Sequence, residues 1–139
     1  MKITPYMYFN GNCAEAIALY EKAFNVKAQI MRYKDAPPSE GYQPPAGTEN
    51  LVMHACLTNR EDYTVYLCDV PPSEPHNFGD GMYISIELDS MDKVKSAFDV
   101  LKESGKVTME LQETFWNKYF GSLEDKFGVN WMISIEGEK

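Results

Sequence analysis

His54, Asp69, His76 and the cysteines are the first side chains to weigh for chemistry in this sequence. His54 stands in the run VMHACL, one polar residue in an apolar segment. Read as a strand, that run puts His54 and Cys56 on one face. The imidazole is then either a cleft-facing acid–base group or a core histidine with a hydrogen-bond partner. Asp69 ends the run TVYLCD just before two prolines. Facing a cleft, it would serve as a general base or hold a ligand hydroxyl; otherwise it is a solvated or turn-capping carboxylate. No second carboxylate is spaced to form an acid/base pair with it, and no ligand spacing supports a metal held by His54 and Asp69. Cys13, Cys56 and Cys68 are odd in number with no CxxC pair, and read as reduced, buried small hydrophobes. Trp116, Tyr119 and Phe120 either close a sheet edge or wall a pocket for an apolar or aromatic ligand. Trp131 reads as core. The serines lack a nucleophile elbow and the glycines lack phosphate-loop spacing.

The elements that must position these residues come in a repeated order. Residues 3–9 read as a strand with Pro5 near its start. A helix follows from Asn12, where Asn12 and Glu15 form a capping-box-like pair and Ala16, Leu19, Tyr20, Ala23 and Phe24 make an apolar stripe ending near Asn25. Residues 27–33 resume as a strand and 34–49, rich in proline and polar residues, as a loop. Residues 51–57 and 63–69 are two further strands joined by a short polar turn. Residues 70–81 form a Pro/Gly-dense linker. Then come a strand over 82–88, a helix over 90–104 with Gly105 as its stop, and strands at 106–111, 119–123 and 130–135. A shift of 78 residues lays Asn12 on Ser90, Ala16 on Val94 and Tyr20 on Phe98. Duplication of one β-α-β-β-β unit is the simplest account. Each such unit covers one face of its sheet with its helix and leaves the other bare; two bare faces side by side would make a cleft.

Composition sets limits on function. The chain has 139 residues, 44% of them hydrophobic and 24% charged, which suits one globular domain. Thirteen Lys and Arg against 21 Asp and Glu give a net charge of −8. Phosphate backbones and anionic membrane surfaces are therefore disfavoured partners. No stretch reads as a signal peptide or membrane span, so a cytoplasmic location is expected.

Two segments carry a family resemblance. PYMYFNGNCAEAIALYEKAFN resembles the opening of PhnB-like proteins, a branch of the vicinal-oxygen-chelate (glyoxalase/bleomycin resistance/dihydroxybiphenyl dioxygenase) superfamily. TFWNKYFGSLEDKFGVNWMISI resembles that branch's end, with DKFGVNW similar to its D-x-F-G-V-x-W signature. The resemblance spans nearly the whole chain. It implies an α+β fold of two βαβββ modules forming a curved mixed sheet around a cleft, in one domain over 1–139: module one about 1–70, linker about 70–81, module two about 82–139. It also implies a homodimer, and a range of functions from lyases, isomerases, dioxygenases and thiol transferases to sequestering proteins without catalysis. Many members of the branch carry a methyltransferase label, but the Gly-rich strand-to-helix turn of a Rossmann-type methyltransferase is missing here.

Superfamily enzymes hold a divalent metal through His, Glu or Gln on four strands. Matching the motifs residue by residue puts the first-strand ligand position on Pro5 and the last-strand position on Met132; strand five offers only Glu87, near its far end. No metal and no cofactor are therefore expected. Met7 and Phe9 share strand parity with Pro5, and with Met132 they suggest an apolar cleft floor, a composition that equally suits a plain core. The expectation is a metal-independent small-molecule-binding protein with ligand contacts from Met7, Phe9, His54, Trp116 and Met132. The alternatives are a lyase, isomerase or dioxygenase relative using His54 or Asp69, and a structural or regulatory dimer with no ligand.

Overall fold

The computed structural model describes residues 1–37, 44–70 and 76–137. Parts of the expected 34–49 loop and 70–81 linker lie outside them. Two compact units emerge: residues 1–21 with 25–76, and residues 22–24 with 77–139.

The first unit contains β1 (Tyr6–Phe9), α1 (Cys13–Phe24, of which the last three residues cluster with the second unit), β2 (Gln29–Arg32), β3 (Val52–Thr58) and β4 (Thr64–Asp69). The second contains β5 (Ile84–Leu88), α2 (Met91–Leu101), β6 (Lys106–Gln112), β7 (Phe120–Glu124) and β8 (Asn130–Ile135). The sheets have orders β1-β4-β3-β2 and β5-β8-β7-β6, which are the same topology twice. In each, the first strand runs parallel to the last and the remaining pairs are antiparallel. The parallel pair demands a crossover, and the helix supplies it.

β1 and β6 alternate strictly in burial, and in both sheets large apolar side chains gather on one face. In the first, Met7, Leu67 and Ala55 share one register row and are buried. Phe9 and Leu57 lie on the same face, while α1 buries Cys13, Ala16, Ile17 and Tyr20. In the second, Trp131, Ile133 and Leu123 are buried on the face whose Gly121 lies beneath Phe98 of α2. A Cβ on Gly121 would stand 2.9 Å from both Phe98 and Leu111, so glycine lets the helix approach.

Two expectations about helix ends need correction. Asn12 precedes α1, but its side chain makes no capping bond. The amide of Cys13 instead donates to Asp69 Oδ1 at 2.9 Å, so a carboxylate distant in sequence takes the cap's place and completes what a local box would have done. Gly105 does not end α2 through a left-handed turn. Ser104 holds the positive φ of 57°, and Gly105 is needed because a Cβ there would collide with the Glu124 carbonyl oxygen. By contrast, Ser90 caps α2 locally, accepting from Lys93 N–H at 3.2 Å.

The DKFGVNW segment is the turn between β7 and β8. Asp125 Oδ1 accepts from the amides of Phe127 and Val129, and Oδ2 from the Trp131 indole at 2.8 Å. Gly128 takes φ +91°, which a β-carbon would oppose. The motif is a buried turn clamp, with Trp131 1% exposed at its base.

Candidate functional site

Register places a row of Tyr8, Cys68, His54 and Met31 on the uncovered face of the first sheet, beside a row of Tyr6, Tyr66, Cys56 and Gln29. The side chains reach each other across these rows. Tyr6 packs edge-on against Tyr8, His54 and Tyr66 at centroid separations of 5.4, 5.6 and 5.6 Å. His54 tilts against Tyr66 at 4.9 Å. The Tyr6 hydroxyl and His54 Nδ1 are 2.8 Å apart. Tyr6 and Tyr8 remain 45% and 47% exposed, so this aromatic surface is wet rather than core.

A second imidazole joins from outside the sheet. Asn10 donates through Nδ2 to the His76 carbonyl and accepts from the His76 amide, both at 2.6 Å. That pair of bonds fixes the backbone so that the His76 ring meets Tyr8 at 5.4 Å. His54 thus borders Tyr6 and Tyr66, and His76 borders Tyr8, which itself packs on Tyr6. None of the strand residues of these two rows is Asp, Glu, Lys or Arg.

Partial burial of its hydroxyl, followed by the charge of and hydrogen bond with neighbouring Cys68, pushes the Tyr6 phenol up to about 12. Burial likewise raises the thiols of Cys13 and Cys68, keeping them protonated and poor nucleophiles. All three cysteines are free.

The expected site residues scatter. His54 lies on the exposed face with the tyrosines. Met7 and Phe9 lie on the opposite face, 5% and 1% exposed, as part of the core. Asp69 shares their parity and is 2% exposed. Its two oxygens take the amides of Cys13 and Val52, each at 2.9 Å, so it ties the start of α1 to the start of β3 rather than facing solvent. In the second unit, Met132 lies on the uncovered face in register with Ser85 and Ser122. Trp116 is 55% exposed and packs edge-on against Phe115 and Phe120. Local pattern does not single out Tyr6, Tyr8 and Tyr66 or the placement of His76. The signal was present in YMYF, where hydroxyl-bearing rings alternate with wholly apolar side chains; the hydroxyls choose the wet face.

A divalent metal of the kind superfamily enzymes use does not suit these residues. Pro5 has no side-chain donor, and its carbonyl accepts the Tyr66 amide. Met132 offers a soft thioether between two serines. Among the described residues no three His, Cys, Asp or Glu side chains converge on a point.

Two sheets of identical βαβββ topology, each with one face its helix leaves uncovered, define the class, and comparison with known proteins agrees. Residues 2–133 match the profile of the Glyoxalase/Bleomycin resistance protein/Dioxygenase superfamily, and the chain belongs to that superfamily. It is 30% identical to Protein YjdN of Escherichia coli (strain K12) over 142 aligned positions, covering 97% of this chain and 95% of that protein. Among solved structures it resembles protein PA1353 from Pseudomonas aeruginosa, with 33% identity, TM-score 0.85 and 99% of each chain covered. It also resembles a PhnB protein from Bacillus cereus described as a putative 3-demethylubiquinone-9 3-methyltransferase, with 26% identity, TM-score 0.75, and 98% and 100% of the two chains covered.

Proposed function

We propose that this chain binds an uncharged, planar aromatic small molecule, without a metal, on the face formed by Tyr6, Tyr8, His54 and Tyr66. The observation that carries the reading is a set of rings, exposed at Tyr6 and Tyr8 and half-buried at His54 and Tyr66, whose rows on the sheet include no Asp, Glu, Lys or Arg. Ring edges and faces offer stacking, and phenols and imidazoles offer directional hydrogen bonds to a ligand heteroatom. Met7 and Phe9 back this face from the core side and contribute rigidity. Trp116, exposed on the second unit, and Met132, half-buried on its uncovered sheet face, are candidates for contacts of their own.

Thermal-shift screening against aromatic, thiol and phosphonate compounds tests the proposal. Aromatic neutral compounds should raise the melting temperature, with an affinity that changes little between low and high salt. Tyr66→Ala should abolish the shift. A preference for phosphonates with steep salt dependence, or a shift indifferent to Tyr66→Ala, would overturn it. Trp116→Ala and Met132→Glu in the same screen decide whether those residues take part.

The reading carries a homodimer and a cytoplasmic location as further proposals, checked by light scattering and cell fractionation. No helix among the described residues is long and apolar enough to cross a membrane.

A further inference from the structure

The uncovered face of the second sheet holds a nearly buried hydroxyl that the described residues leave unsatisfied. Ser134 is 6% exposed, yet its side chain has no hydrogen-bond partner among them. No side-chain oxygen wholly shut from solvent lacks a partner there, so the Ser134 oxygen opens outward. Strand parity gives the direction. Trp131 and Ile133 are buried on the face beneath α2, and Ser134 alternates to the other.

Register sets what stands beside it. Glu87 on β5 and Phe120 on β7 both pair with Ser134, in one row across three strands. With neighbouring strands about 4.8 Å apart, a carboxylate and a ring flank the short serine across roughly 10 Å and leave a notch over its hydroxyl. Glu87 is exposed and enters no ion pair or hydrogen bond among the described residues. Met132, half-buried two positions back on β8, borders the notch on the same face. Trp116 packs on Phe120 at 5.5 Å and is 55% exposed, so the ring wall continues outward. Neither this row nor the next, through Ser85, Met132 and Ser122, holds a Lys or Arg on β5, β8 or β7.

We infer that this notch binds a primary ammonium group carried on a short aromatic arm. The site is separate from the aromatic face of the first unit and does not depend on it. The ammonium lies over Ser134, donates one N–H to the Glu87 carboxylate and one to Ser134 Oγ, and sets its charge against the Phe120 ring. The ring of the arm packs on Trp116. A divalent metal ion is a poorer occupant, because one carboxylate and one hydroxyl give it too few oxygens. A quaternary ammonium has no N–H and leaves Ser134 without a partner. The net charge of −8 favours the approach of any cation.

The test titrates 2-phenylethylamine, which is protonated at pH 7, into the full chain, followed by calorimetry and by Trp116 emission. The emission should shift, and 2-phenylethanol, the same arm without the charge, should bind at least about tenfold more weakly. Glu87→Gln should weaken the amine on the order of fivefold. Glu124→Gln makes the same charge change two rows away on the same face and should leave binding unaltered. The N,N,N-trimethyl form of the amine should bind the wild type more weakly than the parent, and Ser134→Ala should erase that difference. This last variant removes only an unpaired hydroxyl, so the fold should be retained. Tyr66→Ala, which tests the face of the first unit, should not change amine affinity. Equal affinity for alcohol and amine, or binding indifferent to Glu87→Gln, would overturn the ammonium site and leave the first unit's reading standing. So would loss of amine binding in Tyr66→Ala with none in Glu87→Gln, which would place the amine on the first sheet. Failure of both 2-phenylethylamine and butylamine to bind at millimolar concentration would overturn it as well.

Discussion

Removing the charge of Asp69 should be far more costly than removing the residue that precedes α1. In Asp69→Asn one amide oxygen still accepts from Cys13 or Val52, but the new NH2 group faces the other N–H donor. One charge-assisted bond is lost, worth ~1.5–3 kcal/mol, or ~1–3 kcal/mol if counted as the desolvation of the stranded amide. The negative charge at the first turn of α1 goes with it, adding up to ~2 kcal/mol in a buried setting. The two together give about 2–5 kcal/mol, a large part of the ~5–15 kcal/mol that holds a domain of this size. Asn12→Ala removes a side chain without a capping bond and should cost under ~0.5 kcal/mol, while Ser90→Ala, which loses a real cap, should cost ~1 kcal/mol. Urea unfolding followed by tryptophan emission measures all three. Loss of less than ~1 kcal/mol in Asp69→Asn, or a greater loss in Asn12→Ala, would refute the claim that a remote carboxylate caps α1.

Asp125→Ala strands the amides of Phe127 and Val129 and the Trp131 indole, and should destabilise by at least ~3 kcal/mol in the same assay. Gly121→Ala should cost ~1–3 kcal/mol, because the added carbon must displace Phe98 or Leu111. Tyr6 ionises later in the folded chain than its ordinary 10.0, so above that pH the unfolded chain sheds a proton that the folded one keeps. This contribution to stability is level below pH 10.0 and falls as pH rises towards about 12; Tyr6→Phe should remove that slope from denaturation midpoints measured across the window. Acrylamide should quench Trp116 and spare Trp131, so Trp116→Phe leaves a blue-shifted, poorly quenched emission.

The sequence by itself carried the element order. Hydrophobic period, the apolar stripe of α1, the Ser90 cap and the Pro/Gly-rich breaks are local, so β1 through β8 lie within a few residues of where the pattern puts them. The 78-residue repeat also holds, with Tyr6 and Cys13 standing where Ile84 and Met91 stand in the second unit. The absence of suitable metal donors at Pro5 and Met132 needed only residue identity, together with the resemblance that assigned those positions. What only tertiary structure decided was which side of each strand meets water. Strand alternation has two parities, and choosing between them depends on where α1 sits; Met7 and Phe9 went to the core and Tyr6 and Tyr8 to the surface. The role of Asp69 was hidden for a related reason. Its partners, Cys13 and Val52, lie 56 and 17 residues away, and no local pattern encodes a hydrogen bond closed by folding. The Tyr6–His54 contact spans 48 residues and depends on β1 pairing with β4 and β4 with β3, so His54 belongs to a pair that only the sheet assembles.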